Sequence, residues 1–363
     1  MVLQFFLIKI VWIVTLFIIL LLSILRFILI SWWEKREEYF YSEYNPTVVL
    51  IIPCKGIDLY MEKNLKSIKS QNYNKLSTIA VVDSEDDSAV DMLKKLQINY
   101  IISDQRYEGS GKVRAISTAI QKFSDREVYV MADSDTVLPT DWLRYLVNPL
   151  MDKAIGVTTT YPIYEPIENS NIWSKVKKVW GFLGINMMEF YPSRFAWGGS
   201  MAIRKDLLDE KNFHYFSSSV SDDAAITKIC KDKKLSIYYS KKATPVIHVD
   251  ETRDSFIEWA TRQMAISISH SKHAFTSGII MYFSIIVYFI ALIPLSIFEW
   301  NYFLLGYIPF IFPMIINARR TKNDKLIIFL ISFIMPVIFL YNLISGNRKT
   351  HIDWRGNRYH LQK

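Results

Sequence analysis

The sequence predicts an α/β domain on a parallel sheet, held between membrane-spanning segments. Two observations carry this. Between Thr47 and Asp135, short β-branched runs alternate with helical stretches at the spacing of βαβ units. The apolar residues, by contrast, concentrate in the first 33 residues and the last 90, leaving a polar middle of ordinary composition. Of 363 residues, 51% are hydrophobic, and the net charge is +8. A mean hydropathy of +0.13 is high for a soluble protein. The basic excess suits loops facing anionic lipid. No Lys/Arg-rich run interleaved with aromatics points to nucleic acid. Cys54 and Cys230 form no CxxC pair, which argues against a disulfide scaffold and structural zinc.

Residues 1–33 exceed a signal peptide's apolar core and lack a small-residue cleavage site, so they predict a transmembrane anchor. Trp32, Trp33, Lys35 and Arg36 form an interfacial, basic flank that places the following domain in the cytoplasm. Thr47–Pro53 reads as the first buried strand, Cys54-Lys55-Gly56 as a turn, and Met61–Gln71 as a helix. A second strand, Thr78–Asp83, opens into an acidic turn ending at Asp87, which caps a helix over Ala89–Leu96. Tyr100–Ser103 is a third strand, and Glu108–Lys112 opens a helix reaching Phe123. Gly109-Ser-Gly-Lys112 fails the ATP-binding loop pattern, because Val113 stands where Ser or Thr must hold the metal. A lysine at a helix N-terminus nevertheless suits a phosphate.

The fourth strand, Val128–Met131, runs into Asp133-Ser134-Asp135. Two carboxylates at the carboxyl end of a parallel strand lie where open α/β sheets bind ligands. Their oxygens suit Mg²⁺ or Mn²⁺, which holds a diphosphate. Asp141–Leu150 then predicts a helix and Gly156–Thr160 a strand. Asn171–Phe190 has apolar residues at helical spacing beside Lys175, Lys177 and Lys178. It reads either as an ordinary amphipathic helix or as one lying on a membrane surface. Phe195–Arg204 is a Gly turn into a strand, with Gly198 and Gly199 allowing close backbone approach to a ligand. Ser221-Asp222-Asp223 precedes a helix over Ala224–Lys231, and Arg253–Ser269 is a second amphipathic segment.

Three apolar runs follow: Phe275–Phe298, Tyr302–Asn317 and Leu326–Ile344. Glu299–Asn301 and the basic loop Ala318–Lys325 separate them, and a basic tail ends the chain. Three full crossings put the tail outside, whereas its charge places it inside. Pro294, Pro309, Pro313 and Pro336 allow one run to be re-entrant or interfacial. The expected organisation is an anchor over 1–33, a cytoplasmic domain with interfacial helices over 45–272, a transmembrane bundle over 273–346 and a tail over 347–363.

Taken in order, Pro53-Cys-Lys-Gly56, Asp86–Lys95, Gly111-Lys112, Asp133-Ser-Asp135, Gly198–Asp206, Asp222-Asp223 and Trp354–Tyr359 carry a family likeness. The chain resembles inverting, membrane-bound glycosyltransferases of the family 2/family 21 group, especially ceramide glucosyltransferase and its bacterial lipid-glycosylating relatives. The resemblance implies a GT-A-type nucleotide-sugar domain flanked by transmembrane helices. It implies a UDP-sugar donor, glucose or a relative, and a membrane lipid acceptor.

By the same resemblance Pro53, Lys55, Lys112, Asp133 and Gly199 line the donor site, and Asp133 and Asp135 hold the metal. Asp83 accepts a hydrogen bond from a uracil-type base edge, with Asp86 and Asp87 as alternatives that otherwise cap the next helix. Asp223 is the implied general base, and Asp222 shapes its site or raises its pKa. Asp222-Asp223 has a plainer role available, as the cap of the helix that follows. The family's (Q/R)xxRW motif is altered here to Trp259-Ala-Thr-Arg262-Gln263. Arg262 keeps the cation that steadies a diphosphate, and Trp259 stacks on the acceptor or sits in the bilayer interface. The basic tail residues contact diphosphate or lipid headgroups. A processive polysaccharide synthase would need more crossings and an intact QxxRW. A non-catalytic scaffold has no use for clustered, mutually repelling aspartates.

Overall fold

The computed structural model describes residues 2–35, 44–298 and 304–361. The chain divides into two compact units: Glu38–Thr252 with Thr350–Gln362, and Met1–Glu37 with Arg253–Lys349. Arg36 and the Glu299–Asn301 break lie outside the described residues.

After helix α1 (Val2–Lys35), the first unit supplies strands β1 (Val48–Pro53), β2 (Leu76–Val82), β3 (Tyr100–Ile102) and β4 (Val128–Ala132). Next come β5 (Thr136–Val137), β6 (Ile155–Thr159), β7 (Ile163–Pro166), β8 (Ser200–Arg204), β9 (Ser236–Tyr239) and β10 (Val246–Val249). Seven of these strands form one sheet in the order β3-β2-β1-β4-β8-β6-β9. The four strands read first from the sequence are its parallel half.

β8 departs from the expected parallel sheet, running antiparallel to both β4 and β6. Strand direction leaves no mark on an apolar run. The consequence is local: Ser200, the first residue of β8, pairs with Ala132, the last of β4. The Gly198-Gly199 turn therefore meets the Asp133–Asp135 turn at one edge. β5, β7 and β10 form a second small sheet from strands of two to four residues, too short to announce themselves by periodicity.

Both faces of the main sheet are covered, which is why its strands are apolar throughout rather than alternating. Val48, Leu50 and Ile52 point into one core with α2 (Met61–Lys69), α3 (Ala89–Lys95) and α5 (Trp142–Val147). Val49 and Ile51 point into the other, with α4 (Gly111–Lys122), α7 (Glu210–Ser217) and α8 (Asp222–Asp232). Helix α6 (Ile172–Glu189) turns its lysines inward: Lys177 pairs with Glu251 at 2.5 Å and Lys178 with Glu165 at 2.6 Å. These two lysines, which could have marked a membrane-facing stripe, are instead buried and ion-paired. Their acidic partners lie on distant segments, so the pairing left no local signal. A C-terminal hairpin, β11 (His351–Trp354) and β12 (Asn357–His360), completes this unit.

The second unit joins α1 to α9 (Arg253–His270), α10 (Lys272–Phe298), α11 (Ile308–Arg319) and α12 (Lys325–Arg348). Among the described residues, two helices are long and apolar enough to cross a bilayer. They are His273–Pro294, with hydropathy 2.2, and Lys325–Arg348, with hydropathy 2.5. They pack antiparallel, with Tyr282 stacked on Phe339 and Phe289 edge-on to Phe333. The middle apolar run forms only a 3₁₀ turn and the 12-residue α11, which carries Pro313 inside it. At 1.5 Å per residue α11 is about 18 Å long, short of a bilayer core of about 30 Å.

Candidate active site

The site is built where β1, β2 and β4 end and β8 begins. Asp133 leaves β4, and its backbone N–H donates to the carbonyl of Gly199 at 3.2 Å. Lys112, one residue into α4, reaches across to it: Nζ lies 2.7 Å from Asp133 Oδ1 and 3.1 Å from Asp222 Oδ2. One buried ammonium thus joins two acidic segments that are 89 residues apart in sequence (222 − 133). Burial alone would pull the Lys112 pKa down. Asp133, Asp222 and Asp223 outweigh it and hold the ammonium above its ordinary range.

Asp222 and Asp223 begin α8, but they do not cap it. Ser221 does, accepting from the backbone N–H of Ala224 at 3.3 Å. The cap explanation for the acidic pair therefore falls away. Asp223 Oδ1 accepts from the backbone N–H of Gly198 at 2.6 Å. The Asp223 carboxyl is nonetheless pushed well above the ordinary carboxylate range by burial and the neighbouring Asp222 charge, against the pull of Lys112 and the Gly198 amide.

The glycines allow close approach to the protein's own groups. A Cβ on Gly198 would stand 1.8 Å from Asp222 Oδ2 and 2.5 Å from Asp223 Oδ1. One on Gly199 would stand 2.2 Å from the Trp197 ring.

On the β1 side, Pro53 ends the strand and Lys55 pairs with Asp83 at 2.8 Å. Asp87 Oδ1 accepts from the N–H groups of both Gly56 and Ala89. It therefore caps the start of α3 and ties down the Lys55–Gly56 turn. Asp58, which the sequence did not single out, accepts from Ser134 Oγ at 2.5 Å. Buried Asn64 donates to the Ser134 carbonyl at 3.1 Å, so the turn between the two aspartates is held from both its side chain and its backbone.

Asp135 Oδ1 is buried and has no hydrogen-bond partner. Burial, followed by the charges of Asp133 and Asp58, pushes its carboxyl up to about 7. The orphaned Asp135 oxygen, beside the Asp133 carboxylate, fits a hard divalent cation. Among the described residues no group of three or more His, Cys, Asp or Glu gathers as a metal site. Asp133 and Asp135 would therefore leave most of such an ion's coordination to a ligand and water.

The structure brings Lys112, Asp133, Asp222, Asp223 and Gly199 together, with Pro53, Lys55 and Asp83 at the neighbouring strand ends. Trp259 and Arg262 lie on α9, in the other compact unit. Cys54 lies beside the Ser134 turn and the Asp58 charge, and His248 packs elsewhere. The buried Cys54 thiol is pushed up to about 12, and His248 packs edge-on against Tyr60. Nothing in the sequence marks Asp58 or Asn64. It names Arg355 only as a basic tail residue facing diphosphate or lipid, not as a partner of Asp58, and assigns Tyr359 no role of its own within the Trp354–Tyr359 motif.

An α/β sheet carrying two acidic turns at its ligand-binding edge is a fold shared with known structures. The chain aligns over 92% of its length with 96% of a mannosyltransferase, PcManGT from Pyrobaculum calidifontis, solved with GDP-Man and Mn²⁺. The TM-score is 0.53 at 15% identity. A glucosyl-3-phosphoglycerate synthase from Mycobacterium tuberculosis, solved with Mn²⁺, UDP and glucosyl-3-phosphoglycerate, aligns over 64% of this chain and 86% of its own. The TM-score there is 0.44 at 13% identity. Residues 15–363 match glycosyl transferase family 21. The chain belongs to that family and is a glycosyltransferase.

Proposed function

We propose that this enzyme transfers a sugar, glucose or a close relative, from a UDP-sugar to the hydroxyl of a membrane lipid, inverting the anomeric carbon. The observation that carries this is buried Lys112, joining the Asp133 turn to the Asp222-Asp223 pair. Donor diphosphate and acceptor base are thereby fixed to one another.

The donor lies across the strand ends. Asp83 accepts from the base edge, Pro53, Lys55 and Gly199 line the site, and Lys112 faces the ribose or phosphate. Asp133 and Asp135 hold Mg²⁺ or Mn²⁺, which when bound neutralises the charge of the departing diphosphate. Asp223 takes the proton of the acceptor hydroxyl as the oxygen attacks the anomeric carbon opposite the leaving group. The Gly198 amide fixes which carboxylate oxygen faces inward, since Oδ1 is already occupied.

A lipid acceptor accounts for a transferase domain whose chain continues into apolar helices. The hairpin Thr350–Gln362 folds with the catalytic unit, which supports a reading in which the segment from Arg253 to Lys349 starts and ends on one side of the bilayer. On that reading it crosses an even number of times. Two crossings, by α10 and α12, match the two helices of sufficient length. The basic tail then lies with the catalytic domain in the cytoplasm, as its charge requires.

The transfer is expected to be acid-limited above the ordinary carboxylate range of about 4, since Asp223 must be ionised and its pKa is raised. Asp222→Asn removes the like charge, lowers that pKa and moves the acidic limb of kcat/KM to lower pH. An unmoved limb would exclude Asp223 as the base. The proposal as a whole is tested by label transfer from UDP-sugar into lipid.

A further inference from the structure

The C-terminal hairpin turns through Arg355 and Gly356, with Trp354 paired to Asn357. Both turn residues have positive φ, +47° and +81°. Such two-residue turns favour Asn-Gly or Gly-Gly, because a long side chain in the left-handed region is strained. This chain nevertheless places an arginine there. Its guanidinium is held at both terminal nitrogens: Nη2 lies 2.6 Å from Asp58 Oδ1, and Nη1 donates to the carbonyl of Lys55. The other oxygen of Asp58 accepts from Ser134, between the two aspartates of the β4 turn. Four residues beyond Arg355, the Tyr359 hydroxyl accepts from the backbone N–H of Gly111, beside Lys112, at 3.1 Å. One hairpin thus grips two segments directly, 248 (359 − 111) to 300 (355 − 55) residues away in sequence, and reaches the Ser134 turn through Asp58.

We propose that Arg355 and Tyr359 are positioning residues for the nucleotide donor. Arg355 acts through Asp58 and Ser134 on the turn that holds the diphosphate, and Tyr359 acts on the start of α4. The hairpin is the wall of the donor site that closes it from the C-terminal end of the chain. Strain at Arg355 fits this role, because a turn selected for folding alone would carry Asn there. Asn64 secures Ser134 independently, so loss of Arg355 loosens the donor turn without dismantling it.

This inference rests on the proposed donor chemistry. Its test is calorimetric titration of the full-length, detergent-solubilised protein with Mn²⁺ and UDP, which needs no acceptor, alongside steady-state kinetics. Loss of one charge-assisted contact corresponds to roughly tenfold. Arg355→Ala is therefore expected to weaken Mn²⁺–UDP binding and raise KM for the donor by about that factor, with kcat changed far less. Arg355→Lys is expected to recover part of the loss, and Tyr359→Phe, which keeps the ring, to show a smaller rise in KM. Equal affinity and equal KM in Arg355→Ala and wild type would overturn the inference alone. So would parallel losses in kcat and thermal stability with KM unchanged in all three variants. Failure of wild type to bind any nucleoside diphosphate with Mn²⁺ would overturn the donor chemistry, and the inference with it.

Discussion

Asp223→Asn is expected to abolish transfer while leaving the donor site intact. The substitution keeps size and removes only the proton-accepting charge. General-base removal costs about 10²–10⁴-fold, and that loss belongs in kcat. Mn²⁺–UDP affinity is expected to stay within a few-fold of wild type, because Lys112 still pairs with Asp133 and Asp222. The fold is expected to survive, since Ser221 supplies the cap of α8. Replacing a buried, desolvated carboxylate beside Asp222 relieves repulsion, so thermal stability is expected to hold or rise. Stability gained with activity lost is the signature of a charge kept for chemistry. Activity retained within tenfold would remove Asp223 from the mechanism and shift attention to Asp222.

Gly198→Ala is expected to match that loss by a different route. One added methyl would stand 1.8 Å from Asp222 Oδ2 and 2.5 Å from Asp223 Oδ1. The turn or the start of α8 must move, and the 2.6 Å bond from the Gly198 N–H to Asp223 goes with it. Overpacking of this kind costs about 1–3 kcal/mol, so the melting temperature is expected to fall as well. The comparison with Asp223→Asn is informative because one variant loses activity at constant or higher stability and the other loses both. An active, unshifted Gly198→Ala would show that the close approach has no role in holding the base.

The legible parts of this protein were those encoded locally. Strands β1, β2 and β4 are apolar because both their faces are buried, and the Asp133–Asp135 and Asp222-Asp223 turns follow from their position at element ends. Lys112 was read as a phosphate-facing lysine at a helix start. That it bridges two acidic turns was invisible, because both partners arrive from distant segments. Gly198 and Gly199 predict close backbone approach to a ligand, whereas what they approach in the structure is the enzyme's own carboxylates and Trp197. Lys177 and Lys178 read as a possible membrane stripe because Glu251 and Glu165 carry no positional cue. Asp58 and Arg355 pair across 297 residues. No periodicity reports such a contact, although an arginine in a tight hairpin turn is an anomaly that sequence alone can flag.

The central claim is that sugar leaves a nucleotide donor for a membrane lipid. Membranes containing the protein, incubated with UDP-[¹⁴C]glucose and a panel of other labelled nucleotide sugars, Mn²⁺ and native lipid extract, are partitioned between organic and aqueous phases. The account predicts label in the organic phase, from a UDP-linked donor, absent when Asp223→Asn replaces wild type. Label confined to a large aqueous polymer, or an Asp223→Asn sample as active as wild type, would contradict it.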